Sequence, residues 1–191
     1  MTLGFCGSHR TGKSTLAKVI AQRTDRPYVR TLTSSVFRNH GIDPSLPMNF
    51  ETRLRVQQQV LIAAEEVWQT EDQPFVTDRT PIDMMAYTLA DIQGSTDVDI
   101  SEFERYMKRC FEVTNKYFDA LIVLQPGIPL VHAEGKAALN RAYMEHLNAI
   151  VLGLCHDERL KCAVLCIKRD MTDLEDRVRT ILGSENYPKV I

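Results

Sequence analysis

Apolar positions along this chain fall alternately into short continuous runs and into helical spacing. Continuous runs at 2–6 (Thr-Leu-Gly-Phe-Cys), 121–124 (Leu-Ile-Val-Leu) and 162–167 predict buried strands. Weaker runs at 27–31 and 74–78 predict two more, the latter ending on Asp78. Between them, Leu16, Val19 and Ile20 recur at helical spacing over 12–23, and Leu54, Val56, Val60, Leu61 and Ala64 do so after a capping Asn49, through Trp68. Further helices are expected from Pro81 (carrying Met84, Met85, Tyr87 and Leu89), over 101–117, over 137–154 and over 171–182, with a short one around Val36. Gly41, Pro44 and Pro47, the polar stretch 94–99, and Pro126, Gly127 and Pro129 mark loops. Alternation of strand and helix from end to end predicts an α/β domain with a mainly parallel sheet. No repeat or linker interrupts it, so residues 1–191 read as one domain.

Composition narrows the class without changing this picture. Hydrophobic residues make up 44% and charged residues 25%, as expected of a soluble globular chain. No apolar run approaches the roughly 20 residues that span a bilayer, and the first residues lack the pattern of a signal peptide. Five cysteines without Cys-x-x-Cys spacing read as reduced thiols, which points to a cytoplasmic protein. A net charge of −2 excludes a global basic field for DNA. Locally, however, Arg23, Arg26, Arg30, Arg38, Arg53 and Arg55 outnumber Asp25, Asp43 and Glu51 by three. That excess is either a solvated face or part of an anion site.

The chemistry concentrates just after the first strand. Gly7-Ser8-His9-Arg10-Thr11-Gly12-Lys13-Ser14-Thr15 matches Gly-x-x-x-x-Gly-Lys-Ser, with a strand before it and a helix after it. Glycines allow successive N–H groups to converge on phosphate oxygens, and the following helix adds its positive end. Lys13 is expected to bridge the terminal phosphates of a nucleoside triphosphate, and Ser14 to place its hydroxyl on Mg²⁺. Asp78-Arg79, closing a strand, offers a carboxylate for Mg²⁺ or its water together with a cation for phosphate. Thr80 before Pro81 reads as the helix cap, leaving Asp78 and Arg79 available.

These residues resemble the P-loop nucleoside and nucleotide kinases. Asp78-Arg79-Thr80 is similar to the Asp-Arg-Tyr/His motif of thymidylate kinases and the Glu-Arg-Ser motif of deoxynucleoside kinases. The longer stretch Asp78-Arg79-Thr80-Pro81-Ile82-Asp83-Met84-Met85-Ala86-Tyr87 resembles small AAA-labelled kinase-like domains of phages and bacteria. The resemblance implies a three-layer P-loop kinase fold with a five-stranded parallel sheet in the order 2-3-1-4-5. It also implies a helical lid after the fourth strand, where 127–139 carries His132 and Lys136 and is followed by Arg141. Arg10 stands where eukaryotic-type thymidylate kinases carry a P-loop arginine, implying contact with the transferred phosphoryl group. For Lys136 and Arg141 an exposed helix face is the alternative to a closing cationic lid.

One departure bears on the acceptor. Deoxynucleoside kinases place an acid after the second strand, where this chain has Arg30-Thr31-Leu32-Thr33. A hydroxyl acceptor would therefore need Asp78 or Asp83 as general base, whereas a monophosphate needs none. Glu51 and Glu65 are weaker candidates. In this layout Arg30, Arg38, Arg53 and Arg55 fall in the acceptor lobe and favour an anionic acceptor. Phages with hypermodified thymines encode kinases of this kind that act on 5-hydroxymethyluracil in DNA. That modified-DNA acceptor is the first expectation, with host cytoplasm as the compartment if the chain is phage-encoded. Deoxynucleoside monophosphates come next, then a nicotinamide riboside-like nucleoside, then an NTP-hydrolysing regulatory ATPase. Tyr28, Phe37 and Trp68 read as core or as stacking partners for a base. The donor is expected to be ATP, with GTP left open, its base near Lys168 to Asp170. A homodimer is left open.

Overall fold

The central strand of the sheet is buried along its whole length: every residue of Ala120–Leu124 is fully shielded. Such strands survive only with helices on both faces, which is how parallel sheets are built. The computed structural model describes residues 1–31, 33–39, 41–43, 48–129 and 140–184. In chain order the elements are β1 (Leu3–Cys6), α1 (Lys13–Arg23), α2 (Thr33–Asn39), α3 (Phe50–Trp68), β2 (Val76–Thr77) and α4 (Pro81–Ala90). They continue with α5 (Ile100–Tyr117), β3 (Ala120–Leu124), α6 (Arg141–Cys155), β4 (Ala163–Ile167) and α7 (Leu174–Gly183).

All strand pairs are parallel, in the order β2-β1-β3-β4. Alternate side chains feed two cores. Leu3, Phe5, Ala120, Ile122 and Leu124 meet Leu16, Ile20, Val178 and Ile181 of α1 and α7. Cys6, Leu121 and Val123 face the larger cluster built by α3, α4, α5 and α6. Each fully buried Leu or Ile adds about 1.5–3 kcal/mol, so the sheet is held from both sides.

Of the five expected strands the second, at 27–31, is not formed; among the described residues the sheet has four, and the expected fifth strand is β4. At 27–31 the chain makes a single bridge, Tyr28 to Val76, with Val29 N–H donating to Val76 O (2.8 Å) and Val76 N–H to Pro27 O (2.9 Å). Pro27 has no N–H to extend the ladder, and by Thr33 the chain has entered α2. The bridge nevertheless occupies the expected edge position beside β2.

Helix starts follow side-chain caps. Asn49 accepts from Thr52 N–H (2.8 Å) and starts α3, as anticipated. Asn140 caps α6 through Tyr143 N–H and Asp173 caps α7 through Asp176 N–H, so α7 begins later than periodicity alone predicts, while the expected first residues of α6, 137–139, lie outside the described residues. The expected lid residues His132 and Lys136 lie outside the described residues.

Candidate active site

Parallel strands deliver their carboxyl ends to one edge, and the loops that follow them carry the chemistry. After β1 the backbone turns at Gly7, whose φ is 136°. A Cβ there would run into the Leu124 carbonyl, so only glycine fits. Arg10 also holds a left-handed backbone (φ 62°), a strain of order 1–3 kcal/mol for a non-glycine residue, of the kind kept at ligand sites. Gly12 precedes α1 without a side-chain cap, leaving the first N–H groups of that helix to other partners. Thr11 Oγ1 donates to Ser8 O (3.0 Å), and the Ser8 side chain is buried within the loop. Thr15 is exposed on the first turn, and His9 lies half-buried against Tyr143, ring centroids 6.0 Å apart.

Lys13 arches back over this loop. Its Nζ donates to Gly7 O (2.6 Å) and Ser8 O (2.8 Å) and lies 4.0 Å from Asp83 Oδ1. Burial lowers its pKa against the opposing pull of Asp83. Asp83, 1% exposed, accepts from Gly7 N–H (3.0 Å), Thr80 N–H (2.9 Å) and Thr80 Oγ1 (3.1 Å). Thr80 indeed precedes α4, and Asp83 reaches back to it from the first turn. Burial raises the Asp83 carboxyl above its ordinary value, opposed by Lys13 and Arg79. Both oxygens are thus engaged in tying α4 to the phosphate loop, and neither is directed at an incoming acceptor.

Asp78 follows β2 and receives a hydrogen bond from Ser14 Oγ. The Tyr28 hydroxyl adjoins the same pair; burial and then its hydrogen bond to Asp78 raise its pKa. Arg79 stands over the Tyr87 ring, 5.7 Å from its centroid. Beyond Tyr87, Arg53 of α3 donates through Nε to Asp91, just past the end of α4, and both are largely buried. Burial pushes Tyr143 up to about 12, with the Asp91 charge adding to it, and raises Tyr87 as well. Arg79, Tyr87, Arg53, Asp91 and Tyr143 therefore form one polar, aromatic cluster beside the loop.

Of the four arginines expected around the acceptor, this cluster includes Arg53 alone. Arg55 is exposed, because two residues on a helix turn about 200°. Arg38 is exposed on α2, and Arg30 is exposed within electrostatic reach of Tyr28. Glu65 pairs instead with Arg109 (2.6 Å) and Lys116 (3.2 Å) of α5, and Glu51 is exposed. Phe37 and Trp68 are core residues; Trp68 packs against Phe75, Tyr117 and Phe118. Arg141 opens α6 in an exposed position. Near the expected donor-base loop, Arg169 is held by Glu145 through two 2.7 Å bonds, while Lys168 and Asp170 are exposed.

Sequence reasoning missed Asp91 and Tyr143. A carboxylate at a helix C-terminus opposes the helix dipole, and that misplaced charge was the available signal for Asp91. Tyr143 carried none.

Known structures share this fold. A deoxyadenosine kinase from M. mycoides, with dCMP and dCDP bound, superposes with a TM-score of 0.67 at 16% identity, over 96% of this chain and 97% of that one. Thymidylate kinase from Ehrlichia chaffeensis gives 0.60 at 14%, over 97% and 98%. NadR, in complex with NR, gives 0.65 at 14%, over all of this chain and 53% of its own. The fold is thus one that P-loop nucleoside and nucleotide kinases adopt. A search of curated proteins finds no match. Residues 4–181 match a family model described as an AAA domain, and the chain belongs to that family.

Proposed function

We propose that this protein is an ATP-dependent phosphotransferase whose acceptor is a nucleotide-type anion. The observation that carries the reading is the contact of Ser14 with Asp78, beside Arg79 and Tyr87. It joins a phosphate cradle to a second, polar and aromatic cluster, which an ATPase without an acceptor does not need.

In this mechanism the loop's N–H groups after Gly7, whose own N–H is held by Asp83, and the Lys13 ammonium hold the triphosphate. Lys13 leaves its carbonyl partners for the phosphates, as a desolvated ammonium gains most from a fixed negative charge. Ser14 and Asp78 present hard oxygens side by side, which fits Mg²⁺, an ion that keeps waters and phosphate oxygens and asks for one or two protein ligands. When bound there, Mg²⁺ would neutralise charge on the phosphate oxygens. Arg10 lies within the loop to contact the transferred group, and Arg79 to hold the acceptor's anion against Tyr87. Asp83 positions Gly7 and Lys13 and is not the base. That leaves Asp78 as the carboxylate for a hydroxyl acceptor, whereas a monophosphate needs no base.

Deoxynucleoside monophosphate is the acceptor this geometry favours, since Arg53 is locked to Asp91 and Arg55 faces away, leaving no continuous basic track for DNA among the described residues. The second reading, 5-hydroxymethyluracil in phage DNA, draws on exposed Arg30 at the mouth of the site and on Asp78 as base. Labelled ATP offered with deoxynucleoside monophosphates, hydroxymethyluracil-containing DNA and free nucleosides separates them. Label is expected on monophosphates. Label on the modified DNA alone would replace the first reading with the second, and label on free nucleosides alone would contradict both.

A further inference from the structure

Arg177 belongs to α7, far from every motif in the sequence, yet its side chain ends at the phosphate loop. It is 3% exposed. Its Nη1 donates to Thr11 O (3.1 Å), across 166 residues of chain, and its Nε to Met171 O (2.6 Å) in the loop after β4. A Cβ built on Gly12 would stand 3.4 Å from Nη1 and 3.5 Å from Ile128 Cδ1, so the guanidinium lies directly against the glycine that opens α1. The described residues give it no carboxylate partner. Burial alone acts on its pKa, downward. A buried cation that the described residues hold only by neutral carbonyls is poorly compensated among them, unlike the buried ion pairs proteins ordinarily build.

The grip on Thr11 has a directional consequence. A trans peptide is planar, with C=O and N–H pointing to opposite sides. Holding the Thr11 carbonyl on one side therefore fixes the Gly12 N–H on the other. That N–H is among those the triphosphate must find already aimed. The same fork ties the loop after β4, on the expected donor-base side, to the phosphate loop.

We propose that Arg177 is a positioning residue for the nucleotide donor. It orients the Thr11–Gly12 peptide toward the triphosphate and receives from the phosphates a counter-charge that the described residues do not supply. This inference rests on the reading of 7–15 as a triphosphate cradle. Its test therefore uses binding of a fluorescent ATP analogue to the whole chain, without an acceptor. Failure of the wild type to bind would overturn the cradle itself and the inference with it. Given wild-type binding, Arg177→Gln, which keeps one donor but not the charge, is expected to raise Kd about tenfold or more. Arg177→Lys, which keeps the charge but not the fork, is expected to raise it by a smaller factor, about threefold. In turnover assays the KM for ATP should rise with the acceptor KM unchanged, a split that a loss of general packing does not produce. A folded Arg177→Gln protein that binds the analogue as the wild type does would overturn the proposal. Should that variant not fold, an unchanged Kd in Arg177→Lys would do so.

Discussion

Removing Asp83 isolates the strut that joins α4 to the phosphate loop. Its carboxylate accepts two buried backbone N–H bonds, from Gly7 and Thr80, and one from the Thr80 hydroxyl, with Lys13 4.0 Å away. Hydrogen bonds to a charged group contribute about 1.5–3 kcal/mol each, and a donor left buried without a partner costs about 1–3 kcal/mol. These terms overlap, since each counts the same desolvation. Breaking a buried pair from one side typically totals about 3–5 kcal/mol, which is the expected loss for Asp83→Ala. Asp83→Asn keeps one acceptor oxygen but turns an N–H₂ toward either Gly7 N–H or Thr80 N–H, with an expected loss of about 1.5–3 kcal/mol. Urea denaturation followed by far-UV dichroism reads both. With a slope of about 2 kcal/mol/M, Asp83→Ala should lower the midpoint by about 2 M. An Asp83→Ala midpoint shifted by no more than about 0.2 M, at unchanged slope, would refute the strut.

Two further outcomes follow from the charges around the site. Because burial lowers the Lys13 pKa, the free protein begins to lose this proton below the ordinary lysine value of 10.5, and bound phosphates restore it. Nucleotide affinity should therefore weaken as pH rises on the alkaline side, with proton uptake measurable by calorimetry in buffers of different ionisation enthalpy; a pH-independent Kd up to 10.5 would contradict it. Stability of the free protein takes the opposite sign over the same window, since the unfolded chain binds the proton more tightly. Asp91→Ala, which leaves Arg53 without its partner in the acceptor cluster, should raise the acceptor KM about tenfold while leaving nucleotide Kd unchanged. Steady-state kinetics with each substrate varied checks the split.

Much of the site was legible because its physics is local. The phosphate loop, Asp78 at the end of a strand, the Thr80 cap and the Asn49 cap each depend on a few adjacent residues, and each lies where it was expected. The second strand was overread because an apolar run at 27–31 resembles a strand whether it makes one bridge or five, and Pro27 alone hinted otherwise. Arg53 and Arg55 looked like one patch in the sequence, but a helix sends them to opposite sides. Asp83 invited a role as base since a carboxylate in a motif gives no sign of how many donors surround it. Arg177 was invisible, because a contact across 166 residues exists only once α7 has packed on α1.

Transfer itself is the most direct test. Wild type and Asp78→Asn are incubated with γ-labelled ATP, Mg²⁺ and a mixture of deoxynucleoside monophosphates, and label is resolved into acceptor product and inorganic phosphate. The wild type is expected to form acceptor product, with a fall of about 100-fold or more in Asp78→Asn, the scale expected for lost electrostatic stabilisation of the transferring group. Label recovered from the wild type only as inorganic phosphate, or Asp78→Asn transferring at the wild-type rate, would contradict this expectation.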